Sequence, residues 1–273
     1  MRFKLSSFIW VVFFAFALLL LNEVARVYVE PREIRLTEQQ AYVIGQKIWM
    51  NEGAGKLENL IVWNEGEDFP SLGIGHFIWY PESVEHRFVE SFPDLLHYIG
   101  ARRELPVWLA EQAYAPWKSR VEFLRDKNGE FAANLRDFLQ DTVSDQTQFI
   151  VERLENALPK ILKEIKNPFA KRHVRENFYR VAMQENGVYA LIDYVNFKGE
   201  GISPEERYND LGWGLLQVLE RMSDSNEDVM SAFVEAADFI LSRRVENAPR
   251  DEARWLPGWR KRLNTYADSV SFE

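Results

Sequence analysis

The sequence predicts an α+β fold: a small β-hairpin lobe beside a larger, mainly helical lobe, with one further apolar helix at the N-terminus. Three patterns carry this expectation. Residues 60–80 hold two short apolar runs separated by an acidic turn and punctuated by Pro70, Gly73 and Gly75. From Pro81 onward, apolar side chains recur at helical spacing, most clearly through Phe149, Ile150, Leu154, Leu158, Ile161, Leu162 and Ile165. The third pattern is an unbroken apolar run, FIWVVFFAFALLLL, at 8–21.

That first run follows Arg2 and Lys4. Its length suits the apolar region of a secretory signal, usually ~7–15 residues, better than the ~20 of a complete span. No small-x-small cleavage site follows, because Ala15 and Ala17 lie inside the run and Glu23 spoils the pairing that would end at Ala25. Residues 1–30 are therefore expected to be an uncleaved signal anchor and linker, and 31–273 the folded domain. A cleaved signal is the alternative. Arg26, Arg32 and Arg35 balance Arg2 and Lys4, so flanking charge does not fix the orientation.

Thr37 and Gln40 have capping-box spacing, which predicts a helix from there to about Asn51, with Gly53 and Gly55 as the stop. Residues 60–63 suit a strand, NEGED is a turn, and 69–80 is expected to return as an edge or bulged strand, rather than a central one, carrying Leu72, Ile74, His76, Ile78 and Tyr80 on one face. Further helices are expected over about 173–195, 205–222, 227–245 and 259–267.

Composition narrows the chemistry. The chain carries 33 basic and 42 acidic side chains, a net charge of −9, which argues against a nucleic-acid binder. It has no cysteine, which excludes disulfides, thiolate metal sites and a cysteine nucleophile. Four scattered histidines give no metal-ligand spacing, so neither a metal nor a cofactor is expected.

The densest chemistry is in NEGAGKLENLIVWNEGEDFPSLGIGHFIWY, residues 51–80. Ile44, Ile48 and Glu52 step by four, so Glu52 extends the apolar stripe of its helix into the last turn. Partial burial and the negative end of the helix dipole both disfavour a charged carboxylate there, the condition a general acid requires. A frayed glutamate pointing to water is the competing reading. Glycoside hydrolysis also needs a second, ionised carboxylate, which Glu65, Glu67 or Asp68 could supply.

This stretch resembles phage-type lysozymes, in which a helix-ending glutamate before glycine leads into a hairpin closing on a GxGH segment. The matching parts are NEG at 51–53 and SLGIGH at 71–76. The resemblance implies that Glu52 is the catalytic acid and that Ser71, standing at the family's threonine, orients a water. It places Glu65 near the family's aspartate. The interval from Glu52 to His76 is a few residues longer than in the phage form, so Glu67 and Asp68 stay open as alternatives. His76 would be structural and tied to a carboxylate, and Gly73 and Gly75 would be close-approach positions.

Downstream the likeness is weaker. ALIDYVNFKGEG at 190–201 is similar to the element lining the sugar cleft, which implies contacts from Asn196, Lys198 and Gly199. A helix-ending turn is the other reading. GWGLLQVLERM at 212–222 offers Trp213 and Gln217 as sugar-facing groups, against a plain core tryptophan. PGWRKRL at 257–263 resembles the family's terminal glycine-arginine element, with Arg260 and Arg262 as saccharide contacts or simply surface charges. Residues 81–166 have no counterpart and stand as a helical insertion of unknown role.

The resemblance thus implies a lysozyme-like muramidase that binds peptidoglycan and cleaves its β-1,4 bonds. It would be held by a single-pass anchor in the inner membrane with its domain in the periplasm, or be soluble there after signal cleavage. A lytic transglycosylase using Glu52 alone, and a non-catalytic peptidoglycan-binding or scaffold protein, are the rivals. The sequence names no protein partner. The acidic net charge suits an anionic polymer poorly, but a tethered enzyme needs less electrostatic steering.

Overall fold

A computed structural model describes residues 33–223 and 228–267. The expected anchor over 1–30 lies outside the described residues, among which no helix is long and apolar enough to cross a membrane. The described residues from Ile34 on form one compact unit, mostly helical with two small antiparallel sheets, so the α+β class holds.

Helix α1 (Glu38–Gly53) starts where the capping box places it. The Gln40 amide N–H donates to Thr37 Oγ1, and the Thr37 N–H donates to Gln40 Oε1. Its buried face is Ala41, Ile44, Gly45, Ile48 and Trp49, the spacing of one helical stripe. Ile48 alone is worth ~1.5–3 kcal/mol when fully buried. The stop differs slightly from expectation: Gly53 is the last helical residue, and Ala54 takes the left-handed turn.

A short 3₁₀ turn then leads into a three-stranded meander, β1 (Ile61–Val62), β2 (Ser71–Leu72) and β3 (Phe77–Ile78). Ser71 pairs with Val62 on one side and Ile78 on the other. The expected single strand over 69–80 is therefore corrected. Gly73, Ile74, Gly75 and His76 form the turn between β2 and β3, and His76 is an exposed turn residue with φ 48° rather than a member of a strand face.

One buried amide forces that turn. Gln146 Oε1 accepts from the Ile74 N–H at 2.9 Å, while its Nε2 donates to the Leu139 carbonyl and to Thr142 Oγ1. Gly73 has φ 67°, and a Cβ there would lie 2.2 Å from Gln146 Oε1. Gly73→Ala is expected to destabilise the fold by ~2–3 kcal/mol, since a left-handed alanine and a displaced buried amide add up. A chemical-denaturation midpoint equal to wild type would refute this account of the turn.

The helical lobe comprises α2 (Phe92–Gly100), α3 (Val107–Ala110), α4 (Arg120–Asp126), α5 (Glu130–Asp141), α6 (Val143–Glu164), α7 (Pro168–Ala182), α8 (Gly187–Lys198), α9 (Leu215–Arg221), α10 (Val229–Asn247) and α11 (Leu256–Ala267). The long α6 packs along α1, and the two lie close at Gly45, where a Cβ would meet Thr147 and Val143 at 2.4 and 2.5 Å. So residues 81–166, through α6, form one wall of the core and supply Gln146.

Two expected helices are corrected. The 173–195 segment breaks at 183–186, a turn closed by the Gly187 N–H donating to the Gln184 carbonyl, and position 187 is so close to the Val181 carbonyl that only glycine fits. In 205–222 only Leu215–Arg221 is α-helical; before it lie a 3₁₀ turn and the ribbon β4 (Arg207–Tyr208) and β5 (Leu211–Gly212). A single hydrophobic core runs from α1 and the meander through α6 and α8 to α10 and α11.

Candidate active site

The site grows from one buried acid that burial alone would forbid. Asp193 lies on α8, 1% exposed, the one acid in a helix otherwise read GVYALI-YVNFK. A buried carboxylate is tolerated only when its oxygens are filled. Here both are: Oδ1 accepts from Asn51 Nδ2 at 2.9 Å and Arg262 Nη2 at 2.8 Å. Oδ2 accepts from Arg262 Nε at 2.7 Å and from the Tyr266 hydroxyl at 2.6 Å. The guanidinium therefore grips Asp193 as a two-pronged fork, the strongest geometry available to this pair.

Arg262 still has a donor left, and it points at Glu52. Its Nη2 lies 2.7 Å from Glu52 Oε1. Burial pushes the guanidinium towards losing its proton, but the bonds to Asp193 and Glu52 outweigh that and raise its pKa above the usual value. The second oxygen of Glu52 faces the hairpin, where His76 Nδ1 stands 4.0 Å away, too far for a hydrogen bond. Glu52 is thus held at one oxygen and uncommitted at the other.

Secondary structure explains the convergence. Asn51 and Glu52 share the last turn of α1. Arg262, Thr265 and Tyr266 are three and four residues apart on α11, so they share one face. Tyr189 and Asp193 are four apart on α8. Asn51 Nδ2 also donates to Tyr189 Oη at 2.6 Å, and Tyr189 Oη meets Thr265 Oγ1 at 3.1 Å. Asn51, Tyr189, Asp193, Thr265 and Tyr266 had not been singled out from sequence. The one available signal was Asp193, a lone acid in an apolar helix.

The hairpin acids separate by what they touch. Glu67 accepts from Asn64 Nδ2, and its carbonyl accepts from Trp63 Nε1. Asp68 lies 3.8 Å from Arg87. Glu65 is exposed and forms no hydrogen bond or ion pair among the described residues. Ser71 is buried on the central strand between β1 and β3. Gly75 packs its backbone against the Phe77 ring.

The downstream candidates divide into three groups. Arg262 belongs to the Glu52 network. Arg260 does not: it pairs with Asp238 and bonds Ser242, both on α10. Gln217 closes the start of α9, accepting from the Gly214 N–H and donating to the Gly201 carbonyl, so both amide ends are committed. Asn196 is exposed near the end of α8, and Gly199 ends that helix with φ 86°.

Lys198 and Trp213 meet in a second cluster one ring away from Arg262. The Arg262 guanidinium lies 4.6 Å from the Phe197 ring centre. Lys198 Nζ stands 3.9 Å from the same ring and 3.5 Å from that of Trp259. Beyond Trp259, Arg244 lies 4.1 Å over Trp213 and pairs with the buried Glu252 at 2.8 Å. That carboxyl is held below its usual range, chiefly by the Arg244 hydrogen bond and then by the Tyr208 hydroxyl, against the effect of burial.

Hollows on the surface lie elsewhere. One of about 440 Å³ is lined by Leu96, His97 and Leu105, and one of about 600 Å³ by Phe169, His173 and Arg180. Neither includes a residue of the Glu52 network. No protein-family model, curated protein or solved structure matches the chain.

Proposed function

We propose that this protein is a lysozyme-like peptidoglycan glycoside hydrolase, a muramidase, with Glu52 as its general acid. The observation that carries the reading is the asymmetric hold on Glu52. Arg262 fixes Oε1 at the junction of the helix and the meander, and Oε2 is left facing the hairpin. A carboxylic acid can accept from a guanidinium at its carbonyl oxygen while its hydroxyl oxygen delivers a proton. Oε2 then protonates the glycosidic oxygen as the bond breaks, and Arg262 keeps the group in register during transfer. A second carboxylate activates water or stabilises the sugar cation. Glu65 suits that role best of the three hairpin acids, because Glu67 and Asp68 are already engaged.

A lytic transglycosylase is the second reading, favoured by one fact. No hairpin acid is bonded to the Glu52 network, and a transglycosylase needs none, since the muramic hydroxyl replaces water. Both readings are tested by single replacements Glu65→Gln, Glu67→Gln and Asp68→Asn, assayed on purified peptidoglycan with product ends read by mass spectrometry. For the hydrolase, Glu65→Gln loses at least ~10²-fold in rate, the other two lose little, and products carry reducing ends. Three mild variants with anhydro ends would assign the transglycosylase. No released product would overturn both and leave a peptidoglycan-binding module.

A further inference from the structure

Lys198 is a lysine without an acceptor. Its side chain is 92% buried by surface area, yet its ammonium forms no hydrogen bond or ion pair among the described residues. It contacts only the faces of Phe197 and Trp259. The nitrogen is not sealed, since it is absent from the buried atoms that lack partners. A cation stripped of water and given only ring faces is costly unless something else completes its shell. The helix C-terminus helps it only in part.

The charges around it have the same sign. Arg244 on α10 and Arg262 on α11 flank it through the two rings, and the one nearby carboxylate, Glu252 in the segment between those helices, is bound by Arg244 and Tyr208. Arg262 is likewise matched, by Asp193 and Glu52. Lys198 is the unmatched cation of the row.

We propose that Lys198 is an anion-recognition point, taking a carboxylate carried by the saccharide bound at Glu52. This rests on the glycoside-hydrolase reading and sharpens it: the preferred ligand is an acidic glycan, one bearing a lactyl or peptide carboxyl, over a neutral glycan of the same linkage. Such a site also brings local positive charge to an acidic protein that handles an acidic polymer.

The protonation chemistry agrees. Burial, and then the charge of Arg244, lower the Lys198 pKa from its usual value to about 7, against the pull of Glu252. A bound carboxylate would raise it again. Binding should therefore take up a proton above pH 7, and affinity for the acidic ligand should fall as pH rises from 7 to 9.

The test is calorimetric binding by the full chain in neutral detergent, with two β-1,4 tetrasaccharides: one of N-acetylglucosamine only, one alternating with N-acetylmuramic acid. Wild type should prefer the muramic ligand by about tenfold or more, as a charge-assisted contact provides. Lys198→Met should remove that preference and its pH dependence. The thermal melt of Lys198→Met, expected to match or exceed wild type, shows that the variant is folded. A preference that survives Lys198→Met, or equal weakening of both ligands, overturns the proposal alone. Failure of wild type to bind either ligand overturns it together with the glycan reading.

Discussion

Glu52→Gln is expected to abolish glycan cleavage, by at least ~10²–10⁴-fold, while leaving the fold almost untouched. The amide oxygen can still accept from Arg262, so the network keeps its geometry and loses only the transferable proton. Two stability effects oppose each other. Removing a charge from a helix C-terminus is favourable, and weakening a charge-assisted bond is not, so the net change should stay within ~1 kcal/mol. Peptidoglycan turnover by purified Glu52→Gln, beside its melting curve, is the measurement. Activity within a few-fold of wild type would remove Glu52 from the mechanism.

Asp193→Ala should give the opposite pattern, a large structural loss. The carboxylate is the common acceptor of Asn51, Arg262 and Tyr266. Removing it strands a guanidinium Nε and a tyrosine hydroxyl in a pocket where the carboxylate was almost wholly buried, while the Asn51 amide keeps only Tyr189. Breaking a buried pair costs ~3–5 kcal/mol, and the lower end is expected here because Arg262 keeps Glu52 as a partner. The melting temperature should fall by roughly 10 °C. Asp193→Asn, which keeps the shape, should cost less. A loss below ~1 kcal/mol for the alanine variant would mean that water fills the pocket at little cost.

These two expectations mark what a sequence can disclose. The start of α1 was legible because Thr37 and Gln40 settle it between themselves, three residues apart. Glu52 was legible for a related reason: its stripe is periodic and its helix end is marked by glycine. The turn at Gly73–His76 was not. Its alternation of Leu72, Ile74 and Ile78 fits a strand equally well, and what bends it is an amide from α6, 72 residues further on. The break before α8 did carry a local mark, the polar run Gln184, Glu185 and Asn186 ahead of Gly187, but the helical spacing of the apolar residues on either side masked it.

At the site, the residue types were visible and the pairings were not. Arg262 stood out only as part of PGWRKRL, as a saccharide contact or a surface charge. Nothing local says that it serves a carboxylate on α1 and another on α8. Trp213 and Gln217 looked alike as sugar-facing candidates, yet one stacks under Arg244 and the other closes the turn into its own helix. Side chains that act across the fold leave little trace in their neighbours.

The span between Glu52 and Arg262 also bears on how the protein comes into being. The two residues are 210 positions apart, and Asn51 and Asp193 are 142 apart. Closing so long a loop adds little to the equilibrium cost, which grows only logarithmically, but it slows the search for the native contact. A growing chain would complete the meander and α8, with Asp193 on it, well before the guanidinium that neutralises this carboxylate has been synthesised. Until α11 docks, α8 carries an unanswered charge in its core, so this helix should remain loosely held. The acid on α1 would likewise lack its clamp. Competence would then arrive in one late step, and a protease cut between α10 and α11 would reverse it.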